Sequence, residues 1–289
     1  MARVLVVGAY GMLGASLLPV LRGAGHEVIS AGRSAVAQVC FDLLDVRAVS
    51  AALRTQKPDV VVNLAALTDV DRCEKMPQEA FLANVRSVEN LADGLRTMGR
   101  PAFLIHVSTD HVYDGEGPHA EADVTLVNYY AYSKYAGELA ARSVPAAVLR
   151  TNFFGRSLAA ARVSFSDWIV NALRDGRTIK VFEDVLFNPL SMPSLGSMFL
   201  RVIELRPQGI FNVGSRGAIS KADFAFAIAL ALGLPTHTMQ RSTLRSASLL
   251  ARRPSNMVMD CTRLEAALDL RMPEIHAEIR SLSDHYNAA

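Results

Sequence analysis

Arg3-Val4-Leu5-Val6-Val7-Gly8-Ala9-Tyr10-Gly11-Met12-Leu13-Gly14 decides the fold. Val4 to Val7 are apolar without polar alternation and mostly β-branched, the pattern of a parallel strand buried on both faces. Glycines stand at positions 8, 11 and 14, and an apolar helical pattern then continues to about Leu21. Strand, glycine loop and helix come in the order a dinucleotide-binding unit needs. Glycine lets the backbone approach a pyrophosphate, which then sits on the helix N-terminus. The spacing is three and three, unlike the Gly-x-Gly-x-x-Gly of many dehydrogenases. Gly8, Tyr10, Gly11, Met12 and Leu13 are the candidate cofactor contacts of this loop.

Outward from this loop, the chain repeats strand and helix. Glu27 to Ala31 reads as the second strand and is followed by Gly32-Arg33-Ser34. No carboxylate stands at this strand end to accept from a ribose 2′-hydroxyl. Arg33 can pair with a 2′-phosphate, which favours NADP(H) over NAD(H), although NAD(H) stays open; the plain alternative is a solvated arginine. In Phe41-Asp42-Leu43, Asp42 can accept from an adenine amino group or cap the helix from Asp45 to Gln56. Leu43 belongs to the same candidate wall.

Asp59 to Asn63 reads as the third strand, and Asn63-Leu64-Ala65-Ala66 lies at its C-terminal end, where open α/β sheets bind ligands. A long helix is expected from Pro77 to about Met98. Asn84 interrupts its apolar face and needs a partner: the catalytic helix through a water, or a loop carbonyl. Ala102 to Val107 is the fourth strand, ending in Ser108-Thr109-Asp110-His111. A hydroxyl there can polarise a substrate carbonyl.

Tyr130-Ala131-Tyr132-Ser133-Lys134 opens the next helix, about Tyr129 to Arg142. Four-residue spacing puts Tyr130 and Lys134 on one helical face. The ammonium can lower the phenol pKa and hold a cofactor ribose while the phenol exchanges a proton with a substrate oxygen. Ala147 to Arg150 is the fifth strand. After Gly155 the alternation weakens, with helices expected at Phe165–Asp175, Pro193–Leu205 and Ser220–Leu232. Gly209 to Val213 reads as a strand returning to the main sheet.

These elements specify an α/β fold: a doubly wound parallel sheet over residues 1–155, and a smaller, interleaved C-terminal substrate-binding part over 156–289. The 289 residues are 51% hydrophobic with a net charge of +2, enough for a sizeable core. Dispersed charge offers no patch for nucleic acid or a membrane surface. Cys40, Cys73 and Cys261 are too few and too far apart for a zinc site or a disulfide framework, which points to a reducing cytoplasm. The N-terminal apolar run is broken by glycines and reads as neither signal peptide nor membrane span.

Several motifs together resemble the extended short-chain dehydrogenase/reductase superfamily with its Rossmann-type domain, over nearly the whole chain. They are Gly8/Gly11/Gly14, Asn63 to Ala66, Ser108-Thr109-Asp110, Tyr130 with Lys134, and Leu149-Arg150-Thr151-Asn152. Within it, Gly11-Met12-Leu13-Gly14, Val61 to Glu74 and Ser108 to Gly115 most resemble the dTDP-4-dehydrorhamnose reductases. His111 stands where that family usually has tyrosine, Phe153 where tryptophan is frequent, and Asn188-Pro189 matches the substrate loop only loosely.

The resemblance implies a Thr109, Tyr130, Lys134 triad that reduces the 4-keto group of a nucleotide-linked 6-deoxy sugar, most often dTDP-linked, with NADPH or NADH. It also implies cofactor contacts from Asn63, Leu64, Ala65, Ala66, Asn84 and Ser108. Asn152, Phe165, Trp168 and Arg253 lie where relatives contact the nucleotide sugar. Trp168 can stack on a base or sugar or belong to the core; Arg253 can pair with a diphosphate or form a surface salt bridge. Some relatives bind a divalent ion between subunits, but no ligand cluster stands out and no metal is expected. A homodimer is the expected assembly. A related dehydratase would carry Thr-Asp-Glu; here Thr109-Asp110-His111 lacks the glutamate. An epimerase, or a non-catalytic regulatory subunit like the β subunit of methionine adenosyltransferase, are the rival readings.

Overall fold

The computed structural model describes residues 1–159 and 162–287; the last two residues of the 156–289 part, and Ala160 and Ala161 within it, lie outside them. Seven parallel strands form the main sheet: β1 (Arg3–Val7), β2 (Glu27–Gly32), β3 (Val39–Cys40), β4 (Val60–Asn63), β5 (Phe103–Thr109), β6 (Ala146–Thr151) and the late strand Gly209–Val213. Across the sheet the order is Gly209–Val213, β6, β5, β4, β1, β2, β3. The chain leaves β1 toward β2 and later crosses back to β4 on its other side. That reversal is the switch point at which such sheets open a crevice for ligands.

Strand β1 is apolar throughout because both its faces are covered. Val4 and Val6 point into one core, shared with the helices Met12–Gly23 and Met192–Leu205. Leu5 and Val7 point into the opposite core, shared with the helices Val46–Gln56 and Ser87–Arg96. Full burial of each such side chain stabilises by about 1.5–3 kcal/mol. Asp45, not Asp42, caps the helix Val46–Gln56, accepting from the amides of Arg47 and Ala48. Asp42 instead turns back on its own chain, accepting from Leu44 N–H at 2.9 Å.

The long helix begins at Pro77, as read, but ends at Arg96 and contains a π turn over Leu82–Arg86. The turn has a neighbour that explains its place. A Cβ added at Gly137 would lie 2.2 Å from the Asn84 carbonyl oxygen, so the two helices touch backbone to backbone there. Only a residue without a side chain permits that approach.

The return of Gly209–Val213 to the sheet is present: it pairs in parallel with β6, Gly209 opposite Ala147 through Val213 opposite Thr151. The helix before it, Met192–Leu205, lies against Met12–Gly23, with Gly196 seated over Val20. A second hydrophobic cluster gathers Phe154, Ile169, Phe187, Phe224 and Tyr286 from the later part of the chain. Its helices include Phe165–Arg174 and Lys221–Ala231, and its small parallel pair joins Ile179–Phe182 to Met239–Ser242.

Candidate active site

The glycine loop has the shape a pyrophosphate needs. Gly8 has φ +81°, and a Cβ there would meet the Ala65 nitrogen at 2.9 Å and the Leu64 carbonyl carbon at 3.0 Å. The loop after β1 therefore rests directly on the loop after β4. Gly11 N–H donates to Gly8 O at 3.0 Å and closes the turn. Gly14 lets the helix press on the strand exit, since a Cβ would lie 2.5 Å from Ala9 O. The Met12–Gly23 helix starts from Gly11 with no side-chain cap, so its first amides are open to an anion. These features fit a dinucleotide.

The side chains of the other cofactor candidates are differently engaged. Leu13 and Leu43 bury their side chains in the core, so any contact comes from their backbone. Tyr10 leans away from the glycines, donating its hydroxyl to Val36 O at 2.7 Å. Arg33 is exposed just beyond β2. Asn63 is a structural brace: its Oδ1 accepts from Ala65 N–H at 3.2 Å, and its amide donates to His106 Nδ1 at 3.1 Å. Asn84 meets both of its expected partners at once. It exchanges two hydrogen bonds with the Leu67 backbone and donates to Ser133 Oγ of the Tyr130 helix at 2.9 Å, directly.

The reactive groups converge at the ends of β5 and the helix Tyr129–Ala141. Asn128 caps this helix by accepting from Ala131 N–H. Tyr130 is 7% exposed and packs on Cys73 and Ala80. His111 meets its ring edge-on, centroids 5.4 Å apart. Burial holds the phenol pKa well above its usual value, and a hydrogen bond with Thr109 draws it down. Lys134 is buried and donates from Nζ to Val107 O at 2.7 Å. Burial lowers its pKa to about 8, opposed by the Glu138 carboxylate. The expected depression of the tyrosine pKa by the lysine is not what the site shows: desolvation dominates, and Thr109, not Lys134, is the group that opposes it. A protonated phenol results, suited to giving up a proton.

Beneath this trio lies a polar network that the motif reading misses. Ser108 donates its hydroxyl to Glu138, so any cofactor contact from Ser108 is left to its backbone. Arg150, fully buried, clasps Glu138 through Nε and Nη2 and donates from Nη1 to Tyr113 and to Glu121 O. Tyr113 in turn donates to Asn212 Oδ1 at 2.6 Å. The signal was an arginine inside the apolar strand Ala146–Thr151, which cannot stay buried without a carboxylate.

His111, which touches Tyr130, also lines a cavity of about 230 Å³ together with Val70, Phe182, Lys221, Leu244 and Arg253, among others. Of the four expected substrate residues, Arg253 lines it; Asn152, Phe165 and Trp168 do not. Asn152 donates to Asp110 Oδ2 at 2.7 Å. Trp168 is half-buried and stacks on Phe165 with centroids 5.8 Å apart, at the edge of the second core. Arg253 does form a salt bridge, to Asp71 at 3.0 Å, while remaining at the cavity wall. Burial raises the Asp110 carboxyl to about 6 and lowers the His111 imidazole to about 3. No cluster of three or more metal-ligating side chains occurs among the described residues. No helix among them is long and apolar enough to cross a membrane.

A seven-stranded parallel sheet with a glycine loop at its switch point, and a Thr-Tyr-Lys group at the end of β5 two strands away, defines a Rossmann-type protein of the extended short-chain dehydrogenase/reductase class. Within it, the chain belongs to the RmlD substrate binding domain family, whose profile matches residues 2–288. Among its relatives is Agl14 of Haloferax volcanii, named a probable low-salt glycan biosynthesis reductase, 30% identical over 96% of both chains. A dTDP-4-dehydrorhamnose reductase of Aggregatibacter actinomycetemcomitans is 28% identical over 98% of both chains. The methionine adenosyltransferase 2 subunit beta of Xenopus laevis is 30% identical over 91% of this chain and 81% of that one. Among solved structures, dTDP-4-dehydrorhamnose reductase from Bacillus anthracis, in complex with NADP, shares the fold with a TM-score of 0.89 at 22% identity, covering 100% of this chain and 99% of that one. An ortholog from Clostridium acetobutylicum reaches 0.86 at 27% identity, covering 99% of each.

Proposed function

We propose that the protein is an NADP(H)-dependent reductase of the 4-keto group of a nucleotide-linked 6-deoxy sugar, of the dTDP-4-dehydrorhamnose reductase type, working in the cytoplasm. The observation that carries this is the convergence of Thr109, buried Tyr130 and buried Lys134 at the end of β5, beside a cavity with cationic walls. The relatives named for reduction of such sugars support it. In this reading residues 1–155 hold the cofactor, and the later part, except its returned strand, shapes the sugar pocket.

Bound on the glycine loop, NADPH supplies the hydride. Gly8, Gly11 and the open amides of the Met12–Gly23 helix hold its pyrophosphate, and Arg33 holds a 2′-phosphate. Lys134, kept in place by Val107 O, reaches the ribose. Thr109 and Tyr130 bind the ketone oxygen, and Tyr130 passes its proton to that oxygen as negative charge develops. A buried alkoxide without that proton is costly, so the tyrosine acts in the transition state rather than in binding.

The test is loss of nicotinamide absorbance when the protein, NADPH and dTDP-4-keto-6-deoxyglucose with its 3,5-epimerase are mixed. Tyr130→Phe lowers kcat by about 10³-fold or more while leaving NADPH affinity within about twofold. Normal NADPH binding with no turnover on thymidine-, uridine- or guanosine-linked 4-keto sugars would sink the proposal. A second reading rests on the similarity to methionine adenosyltransferase 2 subunit beta: a cofactor-binding regulatory subunit. Copurification with a synthetase, in the absence of turnover, would favour it.

A further inference from the structure

Tyr10 is an aromatic side chain that contributes to no core. It stands in the glycine loop between Gly8 and Gly11, its ring is 43% exposed, and it belongs to none of the hydrophobic clusters among the described residues. Its hydroxyl is nevertheless firmly placed. It donates to Val36 O at 2.7 Å and lies 3.2 Å from the Oγ of Ser30, a buried residue of β2.

The segment that Tyr10 reaches, residues 33–38, joins β2 to β3. Strand β3 is outermost in the sheet and pairs with β2 through two residues only, Ala31 opposite Val39 and Gly32 opposite Cys40. So short an edge strand holds its loop weakly. Side chains add the missing ties. Gln38 Oε1 accepts from Ser30 N–H at 2.9 Å and from its hydroxyl at 3.1 Å, which pins the far end of the loop. Cys40 Sγ donates to Arg33 O at 3.4 Å, near its start. Tyr10 pins the middle, and it does so from the glycine loop.

The glycine loop and the end of β2 are the two walls between which the adenosine ribose of a dinucleotide sits. They already touch at their base, where Gly8 and Ala9 N–H both donate to Ala31 O. The hydroxyl of Tyr10 joins them a second time, at the exposed Val36. A loose loop must be ordered before its arginine can hold a phosphate, and that cost is subtracted from affinity; a loop already tied down avoids it.

We propose that Tyr10 is a positioning residue for the cofactor's 2′-phosphate: through Val36 it holds the 33–38 loop in the conformation that presents Arg33, and so it strengthens the preference for NADPH over NADH. The proposal rests on the reading of Arg33 as the phosphate contact.

Fluorescence titration of the whole chain with NADPH and with NADH tests it in the wild type, Tyr10→Phe, Arg33→Ala and the double variant. Tyr10→Phe keeps the ring and removes only the hydroxyl, and thermal unfolding checks that it folds. It should weaken NADPH about threefold to tenfold, the worth of one hydrogen bond, and leave NADH within about twofold. In the Arg33→Ala background the same change should alter NADPH affinity by less than about twofold, because two residues that act through one contact are not additive. An equal loss for both cofactors overturns the proposal, and so does a full NADPH loss that persists without Arg33. A preference that Arg33→Ala abolishes and Tyr10→Phe leaves intact keeps the reading of Arg33 and overturns the role of Tyr10 alone. A wild type that does not distinguish the two cofactors removes that reading, and the proposal with it.

Discussion

Arg150 and Lys221 are both cations drawn out of bulk water, and the chain treats them in opposite ways. Arg150 donates to two oxygens of Glu138, to Tyr113 and to a backbone carbonyl, and no part of it is exposed. Lys221 has aromatic faces and a repelling arginine instead. A charge the protein satisfies by itself welds elements together: here β5, β6 and the Tyr130 helix. A charge it leaves unmet beside a cavity ties no elements together.

The sharpest way to break this distinction is through stability. Glu138→Gln leaves Arg150 buried beside a neutral partner, and loss of one member of a buried pair costs about 3–5 kcal/mol. The urea midpoint should fall accordingly, and turnover with it, because Ser108 and Lys134 both lean on Glu138. Lys221→Met should stay within about 1 kcal/mol of wild type in the same titration. If Lys221→Met were as destabilising as Glu138→Gln, the two cations would be alike and the contrast would fail.

The two regions also differ in how well the sequence announces them. The sheet is legible because a parallel strand covered on both faces must be apolar throughout, as Val4 to Val7 and Val60 to Val62 are. The glycine loop is legible because backbone contact at Gly8 and Gly14 excludes any side chain. Tyr130 and Lys134 follow from helical spacing. The Glu138–Arg150 pair was half legible: an arginine in an apolar strand demands a carboxylate, but helix-to-strand packing decides which. Lys221 was illegible. After Ser220, which caps the helix, it reads as an ordinary first-turn residue, and only the fold carries it to His111 and Arg253. The π turn at Asn84 was equally hidden, since its place is tied to Gly137, far along the chain.

Protons offer a third way to relieve a buried charge, and Asp110 and His111 use it with opposite signs. Burial raises Asp110 to about 6 from its ordinary 3.8. Its carboxylate therefore weakens the fold above pH 6, and the penalty is relieved as pH falls toward 3.8. Burial, then Lys221 and Arg253, lower His111 to about 3 from 6.5. Its fold contribution is present above pH 6.5 and is lost as pH falls toward 3, because the unfolded imidazole gains the proton first. Each slope is at most about 1.4 kcal/mol per pH unit. Between roughly pH 6 and 4 the two oppose each other. Asp110→Asn should leave the His111 loss unopposed, and His111→Asn should leave the Asp110 gain. Urea unfolding at pH 6 and 4.5 should then separate the two variants by on the order of 2 kcal/mol in their pH response. His106, buried and held neutral, adds the same acid loss to all three proteins and cancels. Parallel responses would mean that these side chains are more hydrated than the fold indicates.

Arg33 supplies the mildest test and the extreme case of an unmet charge. It is exposed beyond β2, and its guanidinium has neither an ion pair nor a hydrogen bond among the described residues. Solvent already satisfies it, so leaving it free costs the fold little, and a ligand must displace water to use it. Arg33→Ala should weaken NADPH by up to about tenfold and leave NADH unchanged, because only the former carries a 2′-phosphate. Fluorescence titration with both cofactors reads this directly. The salt dependence sharpens it: the NADPH preference should shrink with added salt in the wild type, since an exposed pair is screened, and should be flat in the variant. An equal loss for both cofactors would place Arg33 at the adenosine rather than at the phosphate and would remove the basis for an NADP preference.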